Sequence, residues 1–316
     1  RTATAGWYNT AAFEQIAQAD GLYAKTLNGD AYSAEMKEQT IETIKKDLGQ
    51  VDMVIYSIAA PRRTAPDGVT YKSVLKTTGE AYTNRTIDLR SNQLTEATIE
   101  PATQEEINNT IKVMGGEDWI LWIKALKDAG VLADGAKTVA YSYIGPELTY
   151  PIYKEGSIGQ AKKDLYASAD KIQEEVDGVE AYVSVNKAVV TQSSAAIPIV
   201  PLYLAILFKV MKEQNVQEGC IEQMYRMIHD RLCNGGEVVT DENRLIRMDD
   251  WEMEPKVQEA VAAIWEKIDQ DNLEEVTDLE GYWQEFYEIF GFCIDGVDYS
   301  ADVDADVQIP SIAPVE

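Results

Sequence analysis

Three short apolar runs along the chain predict buried β-strands, at residues 51–59, 138–144 and 179–186. Each run contains Val and Tyr, and the first two also contain Ile, over a length that suits a strand covered on both faces. A weaker run at residues 21–27 is expected to form a fourth strand. These runs predict a sheet assembled from segments that are far apart in the sequence.

Segments with helical period separate these runs. Ser33 begins a helix that is expected to reach residue 48, and Thr103 and Glu106 form the T-x-x-E capping box of a helix that extends to Met114. The next helix has a stripe at three- and four-residue steps, expected to be buried: Trp119, Trp122, Ile123 and Leu126. Beyond residue 186, helices are predicted at 200–213, 218–233, 254–269 and 278–290.

Strands that alternate with helices indicate an α/β fold with a doubly wound parallel sheet. Residues 64–102 interrupt the pattern with turn signals and short Thr, Tyr and Val runs, which predict a β-hairpin excursion. Residues 195–294 read as a helical addition on the substrate side, and residues 1–316 are expected to form a single α/β domain. The acidic tail from residue 295 is expected to be loosely held.

Charge and residue counts exclude several classes of function. The 316 residues include 54 acidic and 28 basic side chains, a net charge of −26, which repels polyanions and argues against nucleic-acid partners. A single histidine, His229, rules out multi-histidine metal sites, and we predict no metal. The three cysteines form no C-x-x-C pair, which suits a reduced, cytoplasmic protein.

The start of the chain shows no secretory signal, and it begins without Met, which raises the expectation of a fragment. The most apolar run, residues 195–208, contains two prolines and is shorter than the roughly 20 residues that a spanning helix needs. We therefore expect no membrane span.

Ligands of doubly wound sheets bind beyond the carboxyl ends of the strands. The second strong run leads into a tyrosine-rich segment that ends at Tyr153, and Ser157 and Gln160 then form an S-x-x-Q capping box. Lys162 falls in the second turn of the helix that follows. Nine helical steps would put Tyr153 and Lys162 on opposite faces, so the two converge only if the intervening segment is not helical.

Gly156 and Gly159 allow such a break. A lysine ammonium beside a phenol favours phenolate and would lower the pKa of Tyr153 from about 10, which suits a proton donor to a developing oxyanion. The alternative is that Tyr153 fills a loop and Lys162 is a solvated helix residue. Spacing alone leaves both interpretations open.

Eight motifs in order give the chain a family resemblance: AYSYIGPE (140–147), the Y-x8-K pair of Tyr153 and Lys162, VMGGEDW (113–119), VSVNKAVVT (183–191), IPIVPLY (197–203), LFKVMKE (207–213), EGCIEQ (218–223) and DDWE (249–252). Together they resemble the NADH-dependent trans-2-enoyl-CoA reductases and the enoyl-acyl-carrier-protein reductases of the Y-x8-K type. The similarity extends from residue 6 to about residue 299.

The resemblance implies an enlarged short-chain reductase with a Rossmann-like core. Such enzymes transfer hydride from NADH to C3 of a trans-2-enoyl thioester, in fatty-acid synthesis or elongation, and protonate C2. Tyr153 then matches the proton donor, Lys162 the cofactor-binding lysine and Tyr143 a substrate contact. The remaining cofactor matches are Asp30 and Ala31 beside the adenine, Ile58 and Ala59 at the dinucleotide backbone, and Val189, Val190 and Thr191 near the nicotinamide.

Several of these residues have plainer interpretations. Asp30 in N-G-D suits a turn, Thr191 suits a helix cap, and either Tyr141 or Tyr143 should face the core because strand side chains alternate. Residues 195–208 read as a core helix or, by resemblance, as the lining of the acyl site. Cys220 is expected to be a buried structural thiol rather than a nucleophile, and His229 an ordinary helix-face residue.

The chain departs from the family in one respect, because no G-x-G-x-x-G turn occurs in it. By resemblance, the pyrophosphate-binding strand–turn–helix unit lies upstream, so we interpret the chain as an N-terminally truncated member of uncertain activity. The alternatives are a non-catalytic acyl-thioester-binding remnant and a carbonyl reductase, although carbonyl reductases usually carry Y-x3-K.

The sequence does not separate coenzyme A from acyl carrier protein as the group that carries the acyl substrate. Carrier proteins are acidic, so docking one would need a local basic surface, to which Lys209, Lys212 and Arg226 could contribute. We expect a monomer.

Overall fold

The computed structural model describes residues 2–312. Its strands are β1 (Val51–Tyr56), β2 (Arg62–Thr64), β3 (Thr70–Lys72), β4 (Tyr82–Asp88), β5 (Gln93–Ile99), β6 (Leu132–Ser142), β7 (Val179–Val185) and β8 (Leu245–Arg247). Its α-helices are α1 (Ala5–Ala19), α2 (Ala34–Asp47), α3 (Gln104–Met114), α4 (Glu117–Asp128), α5 (Tyr150–Tyr153), α6 (Ser157–Glu175), α7 (Val200–Glu213), α8 (Cys220–Arg226), α9 (Pro255–Lys267), α10 (Leu273–Val276) and α11 (Leu279–Glu288).

Four parallel strands form the central sheet in the order β1-β6-β7-β8. The register pairs Tyr56 with Ala140 and Ser142 with Val185, which brings the carboxyl ends of the strands to one edge. The three strong apolar runs are therefore adjacent strands, and the predicted parallel α/β fold is confirmed. Strand β8 was not predicted, because three residues are too few for periodicity to identify.

The strand predicted at residues 21–27 is wrong. The segment has no strand pairing, and Leu22 and Tyr23 are 64% and 51% exposed. Its apolar side chains therefore lack the burial that stabilises a strand in a sheet. Thr26 instead donates its backbone N–H to the Ser311 hydroxyl at 2.8 Å.

The chain between β1 and α3 contains two antiparallel hairpins, β2–β3 and β4–β5. The second packs on α7, with Ile87 and Ile99 in the same buried cluster as the α7 side chains. The backbone N–H of Ile199 donates to the Thr86 hydroxyl at 3.0 Å. The hairpin thus helps to fix the segment that leads into α7.

Two hydrophobic clusters stabilise the sheet and its helical surroundings. In the first, α4 and α6 cover the sheet, and Trp119, Ile123 and Leu126 are buried as predicted, while Trp122 is half-buried. In the second, α7 is surrounded by apolar side chains from α9, α11 and the β4–β5 hairpin. The helix predicted at 218–233 begins at Cys220, and it changes at Met227 to a π-helix that ends at Leu232.

None of the helices within residues 2–312 has the length and apolarity needed to cross a bilayer. The acidic tail is held more firmly than expected. The indole of Trp7 donates to the carbonyl of Val307 at 2.6 Å, and the Ser311 hydroxyl donates to Glu14 Oε1 at 2.6 Å. The prediction of a loose tail is therefore wrong for the part that packs on α1.

The capping box at the start of α3 is formed as predicted. The Thr103 hydroxyl accepts from the Glu106 N–H, and the Glu106 carboxylate accepts from the Thr103 N–H. Replacing Thr103 by Ala should lower the free energy of unfolding by about 1 kcal/mol, because the Glu106 N–H loses the hydroxyl that accepts from it. Urea titration against Gln104→Ala, the next residue, checks this; equal stability of the two variants would contradict it.

Candidate active site

A turn, a short helix and a second helix follow the carboxyl end of β6. Gly145 adopts φ +73°, and a Cβ there would come within 2.5 Å of the Thr149 hydroxyl, so the tight turn needs glycine. Helix α5 ends at Tyr153, and α6 begins at Ser157 with Gly156 as its N-cap. A Cβ on Gly159 would lie 2.1 Å from the Lys154 carbonyl, so glycine lets α5 contact α6 closely.

The predicted S-x-x-Q capping box at Ser157 and Gln160 is wrong. Ser157 is buried as the first residue of α6, and its hydroxyl donates to the Val74 carbonyl at 2.6 Å. The same hydroxyl accepts from the Lys76 N–H at 3.1 Å. Ser157 thus connects the start of α6 to the segment after β3, a long-range contact that local spacing could not reveal.

Tyr153 and Lys162 both lie against the end of β6. The ring of Tyr153 meets that of Tyr143 edge to face, with 4.8 Å between centroids. The Lys162 ammonium donates to the Tyr141 carbonyl at 3.1 Å. Among residues 2–312, no hydrogen bond joins the Tyr153 hydroxyl directly to Lys162 Nζ. The two predicted groups therefore share one strand end, each held there by a different residue.

The electrostatics of this pair differ from the expectation. Burial lowers the pKa of Lys162 to about 8. Burial, followed by the negative charge of Glu252, raises the pKa of Tyr153 above its usual value. The expected lowering of the Tyr153 pKa by the lysine is thus wrong, because desolvation of the phenolate dominates. Tyr153 is held as a neutral phenol, the protonated form that a proton donor requires.

Tyr143 is anchored by Glu252, a buried carboxylate for which the sequence predicts no role. Its hydroxyl donates to Glu252 Oε1 at 3.0 Å, and the Tyr203 hydroxyl donates to the same oxygen at 2.6 Å. Glu252 Oε2 accepts from the N–H of Ala188 at 2.7 Å. The DDWE motif contains Glu252, but nothing local in the sequence indicates these partners, which come from three separate segments.

Ile58 and Ala59, which follow β1 and match the dinucleotide contact of the family, lie beside Lys162. Ile58 and Ala59 line a cavity of about 130 Å³ together with Lys162 and Tyr141. Asp30 and Ala31 do not line this cavity. The Ala31 carbonyl accepts from the indole of Trp122 at 3.0 Å, and Trp122 and Ile58 line a neighbouring groove along β1.

Asp30 stabilises a turn, as its position in N-G-D suggested, because its carboxylate accepts from the Tyr32 N–H at 3.0 Å. The Thr191 hydroxyl accepts from the Ser194 N–H at 3.0 Å, at the first residue of a short 3₁₀ helix whose N-cap is Ser193. Val189 and Val190 line a third cavity, which contains Glu218 and Cys220 but not Lys162. The structure thus brings together only part of the predicted cofactor set.

Three further expectations concern residues near α8. Cys220 is exposed, so its predicted burial is wrong, and partial desolvation raises the pKa of its thiol, which disfavours a nucleophile. Arg226 is buried and donates to Glu218 at 2.6 Å and to Asp250 at 2.9 Å, so it cannot form a basic docking surface. His229 is exposed and stacks on Tyr225, as an ordinary surface residue would.

Comparison with known proteins identifies the family. Residues 1–233 match the family described as the trans-2-enoyl-CoA reductase catalytic region. Trans-2-enoyl-CoA reductase [NADH] of Ruminiclostridium cellulolyticum is 56% identical over 315 residues, which cover 99% of this chain and 80% of that protein. Enoyl-[acyl-carrier-protein] reductase [NADH] of Flavobacterium johnsoniae is 54% identical over the same shares of both chains.

A solved structure of the same family has a similar fold. Treponema denticola trans-2-enoyl-CoA reductase in complex with NAD superposes with a TM-score of 0.93 at 49% identity, over 96% of this chain and 76% of that one. Residues 240–303 also match a family described as the enoyl reductase FAD binding domain. That segment contains nineteen acidic and four basic residues, which does not fit the pyrophosphate of a flavin dinucleotide, so we assign it no flavin.

The matched region of the catalytic family contains Tyr143, Tyr153 and Lys162, the three residues gathered at the end of β6. The relatives cover nearly all of this chain at more than 50% identity. On this sequence similarity and on the shared fold, the chain belongs to the trans-2-enoyl-CoA reductase family.

Proposed function

We propose that the chain catalyses the NADH-dependent reduction of the C2=C3 double bond of trans-2-enoyl thioesters to saturated acyl thioesters. The observation that carries this proposal is the placement of a half-buried phenol, Tyr153, and a half-buried amine, Lys162, at one strand end. NADH, when bound, supplies the hydride to C3. Tyr153 holds the proton that C2 receives, and its raised pKa keeps that proton on the phenol until it is needed.

The residues present fit a nicotinamide dinucleotide. Within residues 2–312 the Lys162 ammonium has one acceptor, the Tyr141 carbonyl, and therefore keeps donors for ribose hydroxyls. Ile58 and Ala59 beside it offer backbone groups at the strand end, where dinucleotides bind in such sheets. We assign Asp30 and Ala31 to the adenine end, and Val189, Val190 and Thr191 to the nicotinamide end, as the family pattern suggests.

Residues 195–208 are proposed to line the acyl site. Tyr143 and Tyr153 pack against the cluster built around α7, whose residues from Val200 to Phe208 are buried and apolar. An acyl tail that enters beside these tyrosines would meet hydrocarbon rather than charge. This arrangement supports a substrate with an apolar acyl chain, such as that of crotonyl-CoA.

Coenzyme A is the thioester carrier that we propose. The two lysines considered for carrier docking are each paired with a carboxylate: Lys209 with Glu213 at 3.5 Å and Lys212 with Asp278 at 2.5 Å. Arg226 is buried, so no free basic surface remains among the three. A cytoplasmic location is supported by three unpaired cysteines, and a monomeric state stays a prediction.

We also propose that a further strand-containing unit with a glycine-rich turn packs beside β1. Within residues 2–312, β1 is hydrogen-bonded to β6 alone, and its outer side borders an apolar groove of about 310 Å³ lined by Ile44, Ile55 and Trp122. Such an edge accepts another strand. A glycine turn there would supply the backbone N–H groups that bind pyrophosphate.

NADH absorbance followed with crotonyl-CoA tests the proposed function. Two proteins are compared: the chain alone, and the chain joined to the part of the Treponema denticola reductase outside the match. We expect oxidation of NADH that depends on crotonyl-CoA, and the faster rate in the joined protein. Binding of crotonyl-CoA without oxidation in either would instead favour a non-catalytic remnant, and oxidation with ketones alone a carbonyl reductase.

A further inference from the structure

Glu252 is a fully buried carboxylate in the loop between β8 and α9, with 0% exposure. Three donors surround it: the hydroxyls of Tyr143 and Tyr203 on Oε1 and the Ala188 N–H on Oε2. Its backbone carbonyl accepts from Gln258 at 2.7 Å, so the main chain is fixed as well. Each carboxylate oxygen is hydrogen-bonded, and the side chain has no freedom to move without losing contacts.

Burying a carboxylate is costly unless it is paired and hydrogen-bonded. The nearby cation is Lys187, 1% exposed, whose ammonium donates to the Ala188 carbonyl at 2.9 Å. The hydrogen-bond partners of Glu252 are therefore neutral donors. If Glu252 only filled space, a hydrophobic side chain of similar volume could take its place without this desolvation cost. Tyr143 connects this group to the site, because its ring lies against Tyr153.

We propose that Glu252 is a positioning residue for the reduction: it fixes the phenol of Tyr143, and the Tyr143 ring in turn fixes the ring of the proton donor Tyr153. Without the anchor, Tyr143 can turn about its side-chain bonds, and Tyr153 loses its edge-to-face neighbour. A donor displaced by about 1 Å from productive geometry loses up to about 100-fold in rate. The inference rests on the proposed function, since it assigns no chemistry of its own.

Glu252→Gln in the protein form that oxidises NADH tests the proposal. We expect kcat for crotonyl-CoA to fall about tenfold, within the range given by misplaced groups, while the Kd of NADH from fluorescence titration stays within about twofold. Glu254→Gln is the matched control, because Glu254 lies two residues further on and pairs at the surface with Lys256. A loss of NADH affinity in step with kcat would show a merely structural role and overturn the proposal.

A double-mutant cycle tests whether Glu252 acts on Tyr153 through Tyr143. Tyr143→Phe keeps the ring but loses the hydrogen bond to Glu252, so it should lower kcat by a similar factor. Combined with Glu252→Gln, it should cost no more than either change alone, because both break the same connection. Multiplicative losses would overturn the proposal, as would full activity of Tyr143→Phe, which remains testable if Glu252→Gln fails to fold.

The outcome of the wild-type assay keeps the two hypotheses apart. If wild-type protein does not oxidise NADH with crotonyl-CoA, the proposed function itself is wrong. If it does, and Glu252→Gln matches its kcat, the function stands and the positioning role of Glu252 is wrong.

Discussion

Replacing Tyr153 by Phe should lower kcat for crotonyl-CoA about 100-fold or more, the scale of lost general-acid catalysis. Phe keeps the ring that packs edge to face on Tyr143, so the hydroxyl is the only group removed. The raised pKa of Tyr153 means that the proton is present at neutral pH in the wild type. Steady-state kinetics at saturating NADH measure the loss directly.

Tyr150→Phe is the matched control for this variant. Tyr150 begins the same short helix, and its ring contacts the Lys154 ammonium at 3.9 Å from the centroid. Its hydroxyl has no part in the proposed reduction, so kcat should stay within about twofold of the wild type. An equal loss in both variants would indicate that the segment tolerates no change, and an unaffected rate in Tyr153→Phe would place the proton donor elsewhere.

Thermal unfolding of Tyr153→Phe distinguishes catalysis from folding. Because the Tyr153 hydroxyl has no hydrogen-bond partner within residues 2–312, its removal should leave the melting temperature nearly unchanged. A large drop in stability together with the rate loss would contradict a chemical role.

Features governed by neighbours in the sequence were predicted well. The capping box at Thr103, the buried stripe of α4 and the strands β1, β6 and β7 of the main sheet follow from residues a few positions apart. Short-range periodicity and capping chemistry act within one or two turns, so the printed sequence contains the information they need.

Features governed by distant contacts were missed. Ser157 has the right spacing for a cap, yet its hydroxyl bonds the segment after β3. Glu252 has no local signal, and its three donors lie at least 49 positions away in the chain. Which partner a polar side chain chooses depends on the folded environment, so spacing alone predicts candidates rather than contacts.

The sign of the Tyr153 shift was missed for a related reason. The sequence shows that a lysine follows after eight residues, but it does not show how deeply the phenol is buried or that Glu252 lies near it. Desolvation raises the pKa of a phenol and lowers that of an amine, so both groups are pushed toward their neutral forms. Tyr153 therefore acts as a neutral acid, and the ammonium of Lys162 loses its proton more readily than an exposed lysine does.

The contribution of the Lys162 ammonium to NADH binding can be measured directly. Replacing Lys162 by Ala should weaken NADH binding about 10- to 100-fold, because a hydrogen bond from a charged donor is worth about 1.5–3 kcal/mol. Lys163→Ala is the matched control, since Lys163 is the exposed next residue of α6 and contacts Gln160 at 3.4 Å. Fluorescence titration of NADH that gave equal Kd values for the two variants would contradict the cofactor role.

The pH dependence follows from the lowered pKa of Lys162, about 8. Below that pH the amine is charged and donates to the cofactor, and as the pH rises through about 8 it becomes neutral, so the Kd of NADH should increase. Lys162→Arg keeps its charge over the same range and should show a flat profile. A wild-type Kd that stays constant between about pH 7 and 9.5 would show that the charge on Lys162 does not govern cofactor binding.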